Sequence, residues 1–350
     1  MTERRPSSEA AELLEWYDRQ RRDLPWRKNK NPYRIWVSEI MLQQTQVKTV
    51  LPYYEVFLEH FPTVEALAAA PIDDVLARWS GLGYYRRARQ MHRAAVQLVE
   101  EGRPIPRTAE ALEELPGIGA YTAAAIASIA FGEAVPVLDG NVERVMARRL
   151  ALEEDPKKRA GRERLLAAAA DLLDPERAGD SNQAFMELGA TVCRPKAPKC
   201  LLCPLGAGCL GKGDAERYPP PRKRRKVERV ELAVAVVREE GRLLLFRRPE
   251  GGVDLMPGLW ELPTVPLEGG EALSDRLAGR YGGSWTLEAT KERVRHGITH
   301  RSITLHLYLG AVEARDDSVG EGLEAAWVSP EARDRFATSS VVDKVLSRLP

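Results

Sequence analysis

The chain has 350 residues, of which 44% are hydrophobic, and its 52 Lys and Arg residues nearly balance its 51 Asp and Glu residues. This length predicts about two domains with cores of their own. The net charge of +1 excludes a chain that is basic throughout, so any surface for nucleic acid must be local. The start of the chain has no apolar signal region and no long uncharged apolar run follows, so we expect a soluble intracellular protein without a membrane span.

Helices are predicted from about Ser8 to Gly211, where segments such as RERLLAAAADLL are rich in Ala and Leu at helical spacing. Within this part, LEELPGIGAYTAAAIASIA predicts a helix that ends at Leu115, a tight turn, and a second helix that starts near Ala120. Gly117 and Gly119 let the backbone approach a ligand, and the N–H groups that start the second helix suit a phosphate. The segment is either a helix-hairpin-helix clamp for the DNA backbone or an ordinary helical turn.

Two carboxylates stand in unusual sequence surroundings. Glu39, in SEIMLQQ, falls on one helical face with Gln43 and Gln46, away from the apolar residues of that segment. Periodicity alone predicts that such a stripe is solvated. Asp139 ends an apolar, strand-like run, VPVLD, and precedes NVERVMARRL, so it is either a helix cap or a catalytic group.

The four cysteines of the chain lie together in one loop with the spacing C-x6-C-x2-C-x5-C: Cys193, Cys200, Cys203 and Cys209. The intervening Pro, Gly and Lys residues predict a wrapped loop. Soft thiolate ligands at this density indicate an iron–sulfur cluster or zinc, and spacing alone does not separate the two. Two disulfides are disfavoured, because Cys-x-x-Cys bridges are strained and no other feature indicates secretion.

The pattern changes after a basic, proline-rich linker at residues 216–229, which includes PPPRKRRK. Its basic run is a phosphate-contacting segment, a nuclear localisation signal or a plain hinge. Beyond it, ELAVAVVREEGRLLLFRRPE predicts two strands around a Glu-Gly turn, ITLHLYLGAVEA alternates like a strand, and TSSVVDKVLSRL predicts a final helix with a Ser cap. We therefore expect an all-α module followed by a smaller α+β module.

The hairpin, the aspartate and the cysteine loop, in that order, resemble the endonuclease III superfamily of DNA glycosylases over nearly the whole chain. Within it the chain is most similar to the MutY-type adenine-specific branch, on LPWR, PYRIWVSEIMLQQTQV, GLGYYRRAR, LPGIGAYTA and VLDGNVERV. The resemblance implies an all-α helix-hairpin-helix glycosylase domain at 1–215. Its six-helix part covers about 28–135, and its iron–sulfur part covers 1–27 and 136–215. A Nudix-like α+β domain at 230–350 follows the linker.

The resemblance also implies roles for the two carboxylates. Glu39 is the expected general acid that protonates N7 of adenine, which requires a desolvated carboxyl with a raised pKa. Asp139 is expected to stabilise the cationic sugar. Tyr121 and Asn141 are expected to position Asp139, the sugar and the attacking water. Bifunctional members have a Lys where this chain has Tyr121, and a phenol cannot form a Schiff base, so we expect a monofunctional enzyme.

Further residues match positions with known roles in the family. The resemblance implies an adenine pocket, wedges that enter the duplex, a backbone clamp, and a [4Fe–4S] cluster held by the four cysteines. The implied adenine pocket contains Arg27, Leu42 and Glu187. The implied wedges are Gln44 and Tyr84, and Gly117 and Gly119 belong to the implied backbone clamp. Cations inside the cysteine loop, Arg194, Lys196 and Lys199, either bind phosphates or are merely solvated.

The C-terminal segment GLWELPTVPLEGGE resembles Nudix hydrolases, but the following EALSDRLAGRYGG lacks the clustered glutamates that hold Mg²⁺. We expect no pyrophosphatase activity. In the family this domain recognises 8-oxoguanine through a Phe-Ser-His loop. Thr299 and His300 match the Ser and the His of that loop. Ile298 replaces the aromatic residue.

The expected function is removal of adenine paired with 8-oxoguanine, or with guanine, in double-stranded DNA. We expect a monomer that acts in the bacterial cytoplasm at the nucleoid and binds no membrane. The first rival function is that of an endonuclease III-like bifunctional glycosylase and AP lyase. A non-catalytic DNA-binding protein and a nucleotide-pool hydrolase are two further rivals.

Overall fold

The computed structural model describes residues 7–220, 227–249, 258–268, 270–298, 301–313 and 323–349. They form two compact units, one of residues 7–69 and 90–220, the other of residues 70–89 with the described residues from 227 onward. In this described part of the chain, every helix is too short or too polar to cross a lipid bilayer.

Helices dominate the first unit. In chain order the helices of the described residues are α1 (Ser8–Gln20), α2 (Pro32–Leu42), α3 (Val47–His60), α4 (Val64–Ala69), α5 (Ile72–Trp79), α6 (Arg86–Glu100), α7 (Ala109–Glu113), α8 (Ala120–Phe131), α9 (Gly140–Arg149), α10 (Arg159–Asp171), α11 (Ala178–Thr191), α12 (Leu273–Tyr281) and α13 (Ser340–Leu346). Helices α5, α12 and α13 belong to the second unit, and the others lie wholly or mainly in the first. The prediction of an all-α N-terminal domain is confirmed.

Helix α8 is the buried centre of the first unit. Its sequence AYTAAAIASIAF is apolar on all sides, and most of its residues are buried, as expected of a helix surrounded by other helices. Its small alanine side chains allow α2, α7 and α11 to pack against it. Gly132, at φ 78°, ends the helix in the left-handed conformation.

The turn between α7 and α8 is as tight as its sequence predicts. Helix α7 ends at Glu113, two residues before the expected end at Leu115, and α8 begins at Ala120 as expected. Gly117 has φ +79°, and a Cβ there would lie 2.5 Å from Cβ of Gln90. Both the backbone conformation and the close packing therefore require glycine at this position.

The run before Asp139 is extended but belongs to no sheet in the described residues, so the strand-like interpretation is wrong. The fully buried Asn182 of α11 takes the place of a neighbouring strand. Its Oδ1 accepts from the Val137 N–H at 3.0 Å, and its Nδ2 donates to the Val135 carbonyl at 2.8 Å. A side chain thus satisfies the buried backbone groups.

The second unit is built on a mixed sheet. Its strands are β1 (Glu228–Glu239), β2 (Arg242–Arg247), β3 (Trp260–Glu261), β4 (Thr264–Pro266), β5 (Ser284–Ile298), β6 (Arg301–Glu313) and β7 (Glu324–Val328). The main order is β3-β2-β1-β6-β5, β4 pairs with β1, β7 pairs with β2, and only the β1–β6 pair is parallel among these strands. One apolar face packs against α13 and the other against α12.

The strands, the turn and the final helix predicted for this unit are confirmed, but the predicted Ser cap makes no capping hydrogen bond. Glu240 and Gly241, with φ 48° and 77°, form the two-residue turn between β1 and β2, as hairpins with both central residues at positive φ require. Alternate residues of β6 are buried, as the sequence pattern predicts. Helix α13 begins after Ser339, although the Ser339 side chain makes no capping hydrogen bond.

Residues 70–89 pack with the C-terminal strands. The Tyr85 hydroxyl donates to the Thr338 carbonyl at 2.7 Å, and Arg247 forms an ion pair with Asp73 at 2.6 Å. The basic run at 222–226 lies outside the described residues.

Candidate active site

A cavity of about 580 Å³ opens in the first unit between α2, α8, α11, the start of α9 and the turn Pro25–Arg27. All seven residues that the sequence predicts for catalysis and adenine binding line it: Arg27, Glu39, Leu42, Tyr121, Asp139, Asn141 and Glu187. They come from five separate segments of the chain.

Glu39 lies in the middle of α2 and is only 5% exposed. The predicted polar stripe of Glu39, Gln43 and Gln46 does not exist, because α2 ends at Leu42. The Tyr121 hydroxyl donates to Oε2 of Glu39 at 2.7 Å. Burial raises the pKa of Glu39 to about 7, and the nearby Asp139 adds to the rise. The carboxyl therefore exists in both protonation states near neutral pH.

Tyr121 stands in the first turn of α8, where the helix start turns its side chain toward α2. Its hydroxyl also lies 3.3 Å from the Met186 sulfur. Burial raises the pKa of Tyr121 well above its usual value, and the Glu39 carboxylate raises it further. The phenol is therefore a neutral hydrogen-bond donor at all physiological pH values.

Asp139 is the N-cap of α9, so the capping role that its sequence position allows is realised in its geometry. Oδ1 accepts from the backbone N–H groups of Asn141 at 2.9 Å and Val142 at 2.7 Å, and Oδ2 accepts from Asn141 Nδ2 at 3.0 Å. Burial raises the pKa of Asp139, and these hydrogen bonds oppose the rise. These hydrogen bonds fix the orientation of Asp139, whose side chain also lines the cavity.

Helices α9 and α11 approach closely beside Asp139. A Cβ at Gly189 of α11 would lie 2.6 Å from the Asn141 Cβ, so only glycine permits this contact. Arg144 Nη2 donates to Asn141 Oδ1 at 2.9 Å and to the Gly189 carbonyl at 2.8 Å, while its Nε donates to the Cys193 carbonyl at 2.9 Å. The orientation of Asn141 is thereby fixed from both helices.

Opposite these groups, Glu187 is fully buried between two arginines. Arg22 donates through Nε to Oε1 at 2.7 Å and through Nη2 to Oε2 at 2.9 Å, and Arg27 Nη2 donates to Oε2 at 2.9 Å. Burial alone raises the pKa of Glu187, but the Arg22 hydrogen bonds and the Arg27 charge outweigh it, and the net pKa is lowered. Sequence reasoning missed Arg22, since no local signal links it to a residue so far along the chain.

The two predicted wedge residues share an unusual backbone conformation. Gln44 has φ 57° and Tyr84 has φ 50°, both in the left-handed region that non-glycine residues seldom adopt. Gln44 is exposed just beyond α2 in the first unit, and Tyr84 is 46% exposed in the second. The Arg87 guanidinium lies 5.5 Å from the Tyr84 ring centroid.

The four cysteines carry free thiols and line one small cavity of the first unit. The 3₁₀ turn Cys200–Leu202 is the regular element within their loop. The guanidinium of the buried Arg148 holds the loop: it donates to the carbonyls of Arg194 at 2.7 Å and Pro195 at 3.0 Å. Among the described residues, no group of three or more His, Cys, Asp or Glu side chains converges on a single metal ion.

Other predicted positions lie elsewhere. Gly117 and Gly119 are in the α7–α8 turn and do not line the cavity, and Arg194, Lys196 and Lys199 are exposed or nearly so in the cysteine loop. Thr299 and His300 fall outside the described residues. Ile298, the last described residue of β5, pairs with Arg301 of β6 and lines a small, mostly apolar pocket.

Comparisons with known proteins define the class. Residues 37–169 match the family of HhH-GPD superfamily base excision DNA repair proteins, and residues 233–348 match the NUDIX domain family. A solved thermostable thymine-DNA glycosylase aligns with 58% of this chain and 94% of its own, with a TM-score of 0.53 and 28% identity. The fold is that of a DNA glycosylase of base excision repair, with a Nudix-like second domain.

Curated relatives narrow the class. The adenine DNA glycosylase of Homo sapiens is 39% identical over 396 residues, which cover 95% of this chain and 72% of the relative. That of Schizosaccharomyces pombe is 34% identical over 316 residues, which cover 72% of this chain and 68% of the relative. The chain belongs to the adenine DNA glycosylase family. The resemblance seen in the sequence is thereby confirmed.

Proposed function

We propose that the protein hydrolyses the N-glycosidic bond of adenine paired with 8-oxoguanine, or with guanine, in double-stranded DNA, and leaves the strand uncut. One observation carries the proposal. Glu39 of α2 and Asp139, the N-cap of α9, line the same cavity together with the Tyr121 hydroxyl, which donates to Glu39.

Glu39 acts as the general acid. A pKa of about 7 means that roughly half of the carboxyl groups carry a proton at neutral pH. Transfer of that proton to N7 lets adenine depart as a neutral base. Tyr121 orients the carboxyl through its 2.7 Å hydrogen bond and stabilises the carboxylate that remains after the transfer.

Asp139 stabilises the positive charge that develops on the deoxyribose. Its carboxylate is held by three hydrogen bonds from Asn141 and Val142, so it needs no reorganisation when the charge appears. Water, positioned by Asn141 and Tyr121, then adds at C1′ and gives up a proton to the Glu39 carboxylate, which restores the general acid. The product is an abasic site in an intact strand, because Tyr121 offers no amine for a Schiff base.

Recognition takes place at both bases of the pair. Arg27 and Leu42 contact the extruded adenine in the cavity, and Glu187 acts there by holding Arg27 in place. Gln44 and Tyr84 fill the gap that the adenine leaves in the duplex. The strained backbone of both wedge residues supports this role, since such strain clusters at functional sites. The hairpin with Gly117 and Gly119 holds the DNA backbone, and Thr299 with His300 reads 8-oxoguanine. We infer a monomer that acts at the bacterial nucleoid.

The cysteine loop holds a [4Fe–4S] cluster. A zinc ion would need its four sulfurs about 2.3 Å from one point, roughly 3.8 Å from each other. All four cysteines line one small cavity, and the family resemblance favours the cluster over zinc there. When bound, the cluster cross-links the loop, and base hydrolysis itself involves no redox step.

An assay on labelled duplexes tests this function. Adenine opposite 8-oxoguanine, guanine and thymine is compared in single turnovers, with and without alkali after the reaction. We expect rapid loss of adenine opposite 8-oxoguanine, slower loss opposite guanine, and breaks only after alkali. Strand breaks without alkali would indicate a lyase. Equal rates of adenine loss opposite all three bases would contradict the proposed preference for 8-oxoguanine and guanine as the opposite base.

The cofactor is tested separately on protein purified without air. We expect a brown sample with four irons and four sulfides per chain, and loss of the colour in Cys203→Ser. A colourless active protein that contains one zinc would refute the cluster.

A further inference from the structure

The second unit has a basic cleft that plays no part in the chemistry described above. It has a volume of about 600 Å³ and lies between β1, β5, β6 and α13. Four cations line it, Arg293, Arg295, Lys344 and Arg348, together with a carboxylate from Glu231 and a hydroxyl from Thr304. An anion with several oxygen atoms fits this set of groups.

The four cations come from β5 and from α13 and its end, on the two sides of the edge strand of the sheet. Arg293 and Arg295 flank the buried Val294 on β5, so the alternation of the strand turns both of them away from the apolar core that Val294 joins. Lys344 lies on α13 and Arg348 just beyond its end, one helical turn further along. All four side chains are exposed.

One carboxylate, that of Glu231, stands against the four cations of the cleft, and the charge of Arg293 is among the causes that lower its pKa. Within the described part of the chain, none of the four cations forms an ion pair with a carboxylate. Glu231, the carboxylate that lines the cleft, lies 2.6 Å from His306 Nε2, and the pKa of Glu231 is lowered chiefly by that contact. Lys344 Nζ lies 3.2 Å from His296 Nδ1. Burial and the Lys344 charge lower the pKa of His296, which disfavours the charged imidazole beside the lysine.

We propose that the cleft binds backbone phosphates of the substrate duplex. The inference rests on the proposed function, in which the end of the β5–β6 hairpin reads the base opposite adenine. Arg295 is three residues from Ile298, so at about 3.3 Å per residue it lies roughly 10 Å from the end of β5. A DNA strand has a phosphate about every 3.4 Å of helix axis, so the cleft reaches phosphates about three nucleotides from the base that is read.

The experiment measures how DNA affinity depends on salt. The double variant Arg293→Gln with Arg295→Gln is compared with Arg238→Gln with Arg242→Gln, which removes the same charge from the far end of β1 and from β2. A variant with both cleft arginines changed to Lys is the conservative control. Each phosphate contact contributes about 0.9 to the slope of log affinity against log salt.

We expect the Gln pair in the cleft to lower that slope by about 1 to 2 and to weaken DNA binding on the order of tenfold. The Lys pair in the cleft and the Gln pair on β1 and β2 should keep the wild-type slope. Thermal unfolding checks that all variants are folded. The single-turnover rate at saturating protein stays unchanged, because the chemistry takes place in the other unit. An unchanged slope in the cleft pair, or an equal loss in the β1–β2 pair, overturns the proposal.

A second arm distinguishes duplex phosphates from those of a free nucleotide. Calorimetry with deoxyguanosine triphosphate as the probe is expected to show no binding stronger than millimolar. Micromolar binding that the cleft pair abolishes, with an unchanged DNA slope, would assign the cleft to nucleotides and refute the duplex. Because binding is measured apart from excision, a wild-type protein that binds DNA but removes no adenine would refute the proposed function and leave this result intact.

Discussion

Two glutamates on facing walls of one cavity have opposite ionisation. Glu39 is 5% exposed and Glu187 is 0% exposed, so burial disfavours the charge of both. Yet the pKa of Glu39 is raised to about 7, and the pKa of Glu187 is lowered below its usual value. Burial therefore does not decide the charge of these carboxyls.

Their partners decide it. Glu39 meets one neutral hydroxyl, from Tyr121, and the negative Asp139, so burial prevails. Glu187 meets two guanidinium groups that donate three hydrogen bonds to its oxygens from their side chains. Glu39 can thus release a proton near neutral pH, whereas Glu187 remains an anion that holds Arg22 and Arg27 in place. Substitution of each residue by Gln tests this contrast directly.

The largest expected effect is on catalysis. Glu39→Gln keeps the shape of the side chain and removes the proton donor, so we expect the single-turnover rate of adenine release to fall on the order of 10²–10⁴-fold. DNA affinity should stay within about twofold of wild type by equilibrium binding, since no charge is added. Glu176→Gln, on an exposed carboxylate of the same unit, is the matched control. A rate near that of wild type in Glu39→Gln would remove the general-acid role.

Glu187→Gln should destabilise the protein. The change leaves Arg27 and Arg22 without their buried anion, and loss of one partner of a buried pair costs about 3–5 kcal/mol. Because the pKa of Glu187 is lowered in the folded state, its contribution is present above the unfolded pKa and is lost as pH falls. Urea unfolding should therefore show a larger loss at pH 7 than at pH 4. An equal loss of unfolding free energy at both pH values would mean that Glu187→Gln destabilises the protein through altered packing and not through the lost charge.

The same substitution at Glu39 should have the opposite sign. A raised pKa means that ionisation opposes folding, and this penalty grows as pH rises from about 4.5 to about 7. We expect Glu39→Gln to raise the free energy of unfolding at pH 8 by on the order of 2 kcal/mol, and by much less at pH 4.5. If the gain is the same at both pH values, the carboxyl is not the source of the penalty.

The sequence predicted more of the fold than of the cavity. The hairpin, the α8 start and the Glu240-Gly241 turn each follow from local residue chemistry, because Gly and helix-forming runs act within a few positions. Periodicity, in contrast, placed Glu39 on a solvated stripe that would extend to Gln46. That interpretation failed because α2 ends at Leu42 without a Gly or Pro to signal it.

Contacts between distant segments explain the remaining differences. Arg22 was missed because its partner Glu187 lies on α11, and several exposed arginines near it have the same local sequence character. The run before Asp139 has the pattern of a strand, but its buried backbone bonds go to the Asn182 side chain. The position of Glu39 in the cavity followed only from the family resemblance, since its local pattern predicts exposure.

The smallest expected effect is a shift in pH dependence. The Tyr121 hydroxyl stabilises the Glu39 carboxylate and so lowers its pKa, although burial outweighs this contribution. For the wild type, kcat/KM for adenine release should fall as pH rises through about 7, because the general acid loses its proton. Tyr121→Phe removes the donor, so the pKa of Glu39 should rise and the decline should begin at a higher pH. Lost positioning of the sugar lowers the rate equally at every pH, so only the shifted decline reports on the hydrogen bond. A decline at the wild-type pH, or at a lower one, would show that this contact does not set the ionisation of Glu39.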